Sequence, residues 1–183
     1  MKSILRSIMT AVVSSLTVTA SEANQFTPRA IEEQVDRDYP KVKQLSICDL
    51  DKLLEQGKPV RLLDVRSVAE YTVSHLAGAV RVEPLSRLDR TSYWPTRSDC
   101  ANNYIVLYCS VGVRSSMMGQ HFQKEFARLG ALQVYNLRGG IFGWHNERRP
   151  LVNISGRTDY VHPYDEKYRN LILRERLVSY TPR

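Results

Sequence analysis

Short apolar runs alternate with amphipathic stretches along the central part of the chain. The clearest run, 104–108, consists of strand-forming residues and ends at Cys109. The stretch 115–129 places apolar side chains on one helical face and stops at Gly130; these side chains are Met118, Phe122, Phe126 and Leu129. Strands that alternate with helices predict an α/β protein whose parallel sheet is covered by helices on both faces.

The other predicted elements continue this alternation. Ser46 and Asp49 make a capping-box-like start for a short amphipathic helix that ends at Gly57. Before the central strand we predict a buried strand at 60–65, a helix at 68–74, a turn at 75–79 that leads into a short strand, and a mostly irregular segment to 103. After the central helix we predict a strand at 133–137 and a helix at 141–147. Ligands of such sheets lie beyond the carboxyl ends of the strands, where Asp64 and Cys109 both fall.

The composition is that of one soluble globular domain with terminal extensions. The chain has 183 residues, of which 43% are hydrophobic and 25% are charged. Its net charge of +7 is spread thinly and forms no basic stripe, so we expect no nucleic-acid partner. A positive field of this kind still attracts a small anion.

The first of four segments, residues 1–25, has the composition of a targeting segment. Lys2 and Arg6 precede a moderately apolar run, and no acidic residue occurs before Glu22. This pattern is typical of an export signal or of an organelle transit peptide. The run is too short to span a bilayer, so we expect no transmembrane span in the mature form. We expect a periplasmic, secreted or organellar protein, and a cytoplasmic one if the segment is not a targeting peptide.

The remaining segments are a lead-in, a domain and an extension. Residues 26–43 are polar, which predicts a linker or an irregular lead-in. The domain is expected over 44–150. The extension, 151–183, is polar and basic, with a helix predicted around 167–177 and a surface turn at His162-Pro163-Tyr164.

Cys109 is the candidate nucleophile. A buried strand fixes its sulfur, the loop from Ser110 to Ser115 turns backbone N–H groups inward, and the following helix adds its positive end. A cysteine in such a cradle, beside Arg114, ionises more readily than a free thiol, and the thiolate is the nucleophile. Cys48 and Cys100 are expected to be inert, unless the fold brings Cys100 close enough to act as a resolving thiol.

Three separated motifs occur in the order of one known module. They are Asp64-Val65-Arg66 with Glu70-Tyr71, His75-Leu76 and Gly78-Ala79; the loop Cys109-Ser110-Val111-Gly112-Val113-Arg114-Ser115; and Gly139-Gly140-Ile141 with Trp144. Together they resemble the rhodanese family of sulfurtransferases over about residues 44–150. The resemblance implies a rhodanese-like fold of about five parallel strands. It also implies a cycle in which Cys109 takes a sulfane sulfur from thiosulfate or a persulfide donor and passes it to cyanide, a thiol or a protein acceptor.

The loop residues have distinct expected roles in this cycle. Backbone N–H groups from Ser110 to Ser115 stabilise the anionic outer sulfur, and Gly112 lets the backbone curl without a side-chain clash. Arg114 is expected to hold an anionic donor or leaving group through its planar fork of donors. Val111 and Val113 are expected to form an apolar rim that limits hydrolysis of the persulfide.

Residues outside the loop are expected to be structural. Asp64 and Arg66 are assigned to bracing the loop and the neighbouring chain, and Arg66 is expected to pair with Glu70. We expect no metal ion and no cofactor, since His121 and His145 show neither ligand spacing nor a catalytic triad.

Two other functions remain open. Tyrosine and dual-specificity phosphatases place five residues between the nucleophilic cysteine and the arginine, whereas four residues separate Cys109 from Arg114. A smaller ring of amides suits one sulfur atom better than a phosphoryl group, and no aspartate general acid is identifiable, which disfavours a cysteine-dependent phosphatase or arsenate reductase. The third class is a noncatalytic rhodanese-like binding module, and the intact Cys109 argues against it.

Overall fold

Parallel strands form the central sheet. A computed structural model describes residues 26–83 and 94–183; the predicted targeting segment over 1–25 lies outside the described residues, as does part of the predicted irregular segment. The described strands of this sheet are β1 (Lys43–Leu45), β2 (Val60–Asp64), β3 (Val80–Arg81), β4 (Tyr104–Tyr108) and β5 (Gln133–Leu137). Their order is β1-β5-β4-β2-β3, and every neighbouring pair is parallel. The predicted five-stranded parallel sheet is therefore confirmed.

The register of the two central strands brings their carboxyl ends together. β2 and β4 pair residue by residue, from Val60 opposite Tyr104 to Asp64 opposite Tyr108. Asp64 and the residue after Tyr108 consequently lie at the same edge of the sheet, where ligands of this architecture bind.

Helices cover both faces of the sheet. The described helices are α1 (Pro28–Asp38), α2 (Ile47–Glu55), α3 (Val68–Val73), α4 (Arg97–Cys100), α5 (Val113–Arg128), α6 (Gly140–Asn146) and α7 (Glu166–Arg169), and a 3₁₀ turn follows at Glu175–Leu177. Alternate residues of β4 enter two apolar clusters: Val106 packs with Leu50 and Phe142 of α2 and α6, whereas Leu107 packs with Met118 of α5. This alternation is what a strand with two covered faces requires.

The segment 26–43 is not the irregular lead-in that its polarity predicted. It contains the eleven-residue helix α1, whose N-cap Thr27 accepts a hydrogen bond from the N–H of Ala30. The polar sequence concealed a narrow apolar stripe, in which Ile31 packs on the first cluster and Val35 is buried.

The extension beyond 150 also differs from the prediction. The single helix expected over 167–177 is wrong. The α-helix ends at Arg169, Leu171 and Ile172 insert into the first apolar cluster, and only the 3₁₀ turn at Glu175–Leu177 follows. An antiparallel hairpin, β6 (Leu151–Asn153) and β7 (Gly156–Thr158), precedes it. Burial of side chains against the domain thus outweighed local helix propensity.

Candidate active site

Cys109 lies directly after β4 at the entrance to a short loop. Its side chain is buried, and its Sγ accepts a hydrogen bond from the N–H of Gly112 at 3.2 Å. Gly112 is the N-cap of α5 and has a φ of +99°, a conformation that strongly favours glycine. The loop closes on the sulfur because this residue reverses the backbone, as the sequence predicted.

The start of α5 adds further donors to the same place. The N–H groups of the first helical residues, 113–115, have no acceptor within the helix, whereas the N–H of Ser116 already bonds to Gly112. The helix of sixteen residues carries a partial positive charge at this end. Within the described part of the chain, the Ser115 hydroxyl is buried without a hydrogen-bond partner.

Helix α6 holds the other side of the loop. The N–H groups of Ile141 and Phe142 donate to the carbonyl oxygens of Cys109 and Ser110 at 2.9 and 3.0 Å. In a trans peptide the N–H points opposite to the C=O, so the loop amides that follow these carbonyls face away from α6. Gly140 makes this approach possible, since a Cβ there would lie 2.4 Å from the Cys109 carbonyl oxygen.

Arg114 is bound by protein groups rather than left free. Its guanidinium donates to both carboxylate oxygens of Glu70, at 3.0 and 2.7 Å, and to the Ser110 hydroxyl at 2.9 Å. Ser110 in turn donates to Glu70 at 3.0 Å. The expected role of Arg114 in gripping an anionic donor stays a prediction, and it requires this network to share or release the guanidinium.

Glu70 is the negative centre of this network. Burial alone would raise the pKa of Glu70, but the hydrogen bonds and charge of Arg114, with help from Arg66, outweigh burial and hold the pKa at about 2. Glu70 also caps α3 by accepting from Ser67. The carboxylate is therefore fully ionised at neutral pH.

The predicted ion pair between Arg66 and Glu70 is wrong. Their i,i+4 spacing suggested a helical pair, but α3 begins only at Val68, so Arg66 lies outside the helix. Arg66 instead pairs with Asp64, with Nη2 at 2.7 Å from Oδ2, and both side chains are fully buried.

The pair formed by Asp64 and Arg66 connects the strand edge to α3. Arg66 Nη2 also donates to the carbonyl oxygen of Ser74 at 2.7 Å, and the guanidinium lies 5.8 Å from the centre of the Tyr108 ring. These contacts hold the chain after β2 against the chain after α3, next to the strand that carries Cys109.

An open cleft of about 190 Å³ lies at Cys109. Its walls are the loop residues Ser110, Val111, Val113 and Arg114, together with Tyr164 and Tyr168 of the extension. The volume far exceeds the roughly 10–15 Å³ that one water needs, so the cleft has room for a group attached to the transferred atom.

Tyr164 and Tyr168 were missed by the sequence reasoning. The surface turn predicted at 162–164 is only partly correct, because His162 is buried and Tyr164 covers the guanidinium of Arg114 at 4.6 Å. Tyrosines recur every four residues at 160, 164 and 168. That recurrence was the available signal, but nothing in it points to a loop fifty residues upstream.

Neither of the other two cysteines lines the cleft. Cys48 is exposed, and Cys100 is buried near the amino end of β4, the end opposite to Cys109. Five strand residues span about 16 Å, whereas a disulfide requires Cα atoms within about 7 Å. The fold does not bring Cys100 close enough to act as a resolving thiol.

Histidines do not gather into a metal centre in the described ranges. His145 is buried, with Nε2 at 2.9 Å from the Asp159 carbonyl oxygen, and residues 26–83 and 94–183 contain no group of three histidine, cysteine or acidic side chains that could hold a metal ion. Those ranges also lack any helix with the length and hydropathy needed to cross a bilayer.

Comparison with known proteins assigns the chain to a family. A family model for the rhodanese-like domain matches residues 46–147. The adenylyltransferase and sulfurtransferase of Drosophila grimshawi is 31% identical over 108 residues, which are 57% of this chain and 23% of that protein. The tRNA uridine(34) hydroxylase of Burkholderia ambifaria is 30% identical over 98 residues, 51% of this chain and 32% of that protein. The chain thus spans less than a third of the length of either relative.

A solved structure shows the same fold. It comes from Rhodopseudomonas palustris and was described as a protein of unknown function and possible tyrosine phosphatase; it aligns with a TM-score of 0.50 and 19% identity over 68% of this chain and 92% of that one. The family match covers more than half of the sequence and includes the Cys109 loop, the Asp64-Val65-Arg66 motif and the glycines that open α6. The chain therefore belongs to the rhodanese-like domain family.

Proposed function

We propose that the protein is a sulfurtransferase that moves a sulfane sulfur from thiosulfate or a persulfide donor to a thiophilic acceptor through a persulfide on Cys109. The observation that carries the proposal is the buried Cys109 sulfur, which accepts the Gly112 N–H at the floor of an open cleft. Relatives whose names include sulfurtransferase support it.

The first half of the cycle loads the cysteine. The Cys109 thiolate attacks the outer sulfur of thiosulfate, a new S–S bond forms, and the bond to the sulfonate sulfur breaks with both electrons leaving on sulfite. The loop amides and the positive end of α5 stabilise the negative charge that the outer sulfur then carries.

The second half returns the enzyme to its starting state. Cyanide or a thiol attacks the outer sulfur of the persulfide, and the electron pair of the broken S–S bond returns to Cys109 as thiolate. With cyanide the product is thiocyanate. Val111 and Val113, which line the cleft, limit the access of water to the persulfide.

Intact-mass spectrometry tests the proposal. Incubation with thiosulfate, or with an organic sulfane-sulfur donor, is expected to add the mass of one sulfur atom, and Cys109→Ser is expected to abolish the adduct. Cys48→Ser is the matched control, since Cys48 is exposed and does not line the cleft. The absence of any adduct with every donor would contradict the proposal.

A phosphate-ester assay on the same variants separates the competing functions. Hydrolysis that depends on Cys109, without formation of thiocyanate from a sulfane donor and cyanide, would favour a phosphatase or arsenate reductase. Neither adduct nor hydrolysis would favour a noncatalytic binding module.

The targeting role of residues 1–25 is proposed on composition alone. Sequencing the amino terminus of the protein purified from its native host is expected to show cleavage near Ala20 or Ala23. An intact amino terminus would favour a cytoplasmic protein.

A further inference from the structure

Two tyrosines of the C-terminal extension form one wall of the Cys109 cleft. We call Tyr164 and Tyr168 the aromatic wall; both lie outside the family-matched residues 46–147. Their rings meet edge to face with centroids 5.2 Å apart, and Tyr168 meets the ring of Phe26 at 5.1 Å. The aromatic wall is therefore supported by Phe26, which packs against Tyr168.

The backbone at Tyr164 is strained. Its φ is +70°, a left-handed conformation that costs a non-glycine residue about 1–2 kcal/mol. The N–H of Tyr164 donates to Nδ1 of His162 at 3.0 Å, and the ring lies over Arg114. Surrounding contacts thus hold the ring over the cleft in spite of an unfavourable backbone, and such strain is concentrated at functional sites.

The charges around the cleft disfavour a small dianion. Arg114 is the only cationic side chain among the described residues that line the cleft, and Glu70 neutralises it through two hydrogen bonds. The reactive form of Cys109 is an anion. A dianion such as thiosulfate therefore approaches a thiolate whose one neighbouring cationic side chain is already compensated by Glu70. Only the loop amides and the partial charge of α5 then offset the repulsion between like charges.

The same walls favour an apolar group. Val111, Val113 and the two rings of the aromatic wall present aliphatic and aromatic surface around the sulfur. Burial of an apolar substituent against this surface is favourable in proportion to its area, and an aromatic substituent gains further from edge-to-face contacts.

Resting on the proposed sulfur transfer, we infer that the site prefers sulfane-sulfur donors whose sulfur is attached to an apolar organic group, and that Tyr164 and Tyr168 set this preference. Benzenethiosulfonate is a suitable probe because it carries the same transferable sulfur as thiosulfate, with one anionic oxygen replaced by a phenyl ring. The Cys109 thiolate attacks the terminal sulfur, an S–S bond forms, and the bond to the sulfonyl sulfur breaks as benzenesulfinate leaves with the electron pair. Charge balances, since one anion enters and one leaves.

Steady-state kinetics with cyanide as acceptor test the inference. For the wild-type protein, kcat/KM is expected to be higher with benzenethiosulfonate than with thiosulfate. Tyr164→Leu and Tyr168→Leu are each expected to lower the ratio of the two kcat/KM values by roughly 2- to 10-fold, the usual worth of an aromatic pair. Tyr164→Phe, which keeps the ring, is expected to leave the ratio unchanged.

Tyr160→Leu is the matched control. Tyr160 belongs to the same extension, and an arginine also lies near its ring, with Arg183 at 5.6 Å. Unlike Tyr164 and Tyr168, however, Tyr160 does not line the cleft. Its replacement is expected to leave the donor ratio unchanged. A thermal melt on each variant checks folding, and if Tyr164→Leu does not fold, Tyr168→Leu carries the test.

The outcomes separate this inference from the function on which it depends. Equal or better use of thiosulfate by the wild-type protein overturns the inferred preference and leaves sulfur transfer intact. A donor ratio that does not respond to either leucine variant overturns the role of the aromatic wall. Failure of both donors to load Cys109 overturns the proposed function itself.

Discussion

Two arginines of this protein each contact a carboxylate, a neutral oxygen acceptor and a tyrosine ring, but one pair is fully buried and the other is partly exposed. Arg66 binds the carboxylate of Asp64, donates to the carbonyl oxygen of Ser74 and lies over the ring of Tyr108. Neither member of this ion pair exposes any side-chain surface. The arrangement is part of the closed interior beside β4.

Arg114 repeats the arrangement at the cleft. It binds the carboxylate of Glu70, donates to the hydroxyl of Ser110 and lies under the ring of Tyr164. Its side chain keeps 25% of its surface exposed. The ring over Arg114 comes from the C-terminal extension, whereas the ring over Arg66 comes from a core strand.

The difference shows what each pair contributes. A buried ion pair offers little net stability compared with an apolar pair, yet it is expensive to break, so its use is to fix geometry. The pair at the cleft is partly exposed on its arginine side, so we expect its charge balance to influence which ligands bind.

Removal of the buried arginine is expected to have the largest effect. Arg66→Met leaves Asp64 charged and unpaired in the interior, so the free energy of unfolding is expected to fall by about 3–5 kcal/mol. Urea denaturation measures this change in the free energy of unfolding. The double variant Asp64→Leu with Arg66→Met is expected to recover most of the loss, and a cost below about 1 kcal/mol for Arg66→Met alone would show that the pair does not fix the fold.

The ion pair between Glu70 and Arg114 is expected to make the free energy of unfolding depend on pH in the acidic range. The folded pKa of Glu70 is about 2 and its ordinary value is 4.5, so the unfolded chain binds this proton first as the pH falls. The stabilisation is present above about pH 4.5, is lost progressively towards pH 2, and amounts to at most about 3 kcal/mol.

Urea unfolding of wild type and Glu70→Gln across that range measures the contribution of Glu70. The variant is expected to be less stable at neutral pH, and the gap between the two proteins is expected to narrow as the pH falls. A gap that stays constant from pH 5 to pH 2 would contradict the assignment.

Replacement of the cleft arginine by lysine is expected to affect chemistry more than stability. Arg114→Lys keeps the charge but loses the planar fork that joins Glu70 and Ser110. We expect kcat/KM for sulfur transfer to fall roughly tenfold, the equivalent of one charged hydrogen bond of about 1.5 kcal/mol. Arg138→Lys is the control, because Arg138 makes a similar two-point contact with Asp36 at the surface, and activity there is expected to be unchanged.

Removal of the hydroxyl group from Tyr108 or from Tyr164 is expected to have the smallest effects, and these effects are expected to differ between the two rings. Tyr108→Phe removes the hydroxyl that accepts from the N–H of Leu76 at 3.2 Å, so the free energy of unfolding is expected to fall by about 1 kcal/mol. Tyr164→Phe is expected to change it by less than about 0.5 kcal/mol. Equal costs for the two variants would mean that the ring at the cleft is as integral to the fold as the ring in the core.

Four of the five described strands were predictable from local signals, whereas β1 was expected only through the family resemblance. The strands predicted at 104–108 and 133–137 match β4 and β5 residue for residue. The first is a short apolar run, and the second lies between two glycine-containing turns. The polar helix α1 was missed because its apolar stripe consists of only two residues, the partly buried Ile31 and the buried Val35. Periodicity over so few positions does not stand out from a charged background.

The site was only partly predictable, because its remaining contacts join distant parts of the chain. The loop and its cysteine follow from local spacing, but Glu70 and Arg114 are 44 residues apart and meet only through the register of β2 and β4. Spacing rules favoured the nearer partner, Arg66. Tyr164 reaches the cleft through packing of the extension, and the recurrence of tyrosines every four residues does not indicate which part of the chain they contact.

The backbone around Cys109 depends on Gly140, which lies thirty-one positions later in the chain. No side chain fits between α6 and the carbonyl groups after β4, so even alanine would force the two turns apart. A chain that ended at Leu137 would contain all five described strands of the sheet and Cys109 itself, but it would lack the N–H groups of Ile141 and Phe142 that bind the carbonyl groups after β4. We therefore expect the loop to reach its final geometry only after α6 has been synthesised and has packed against it.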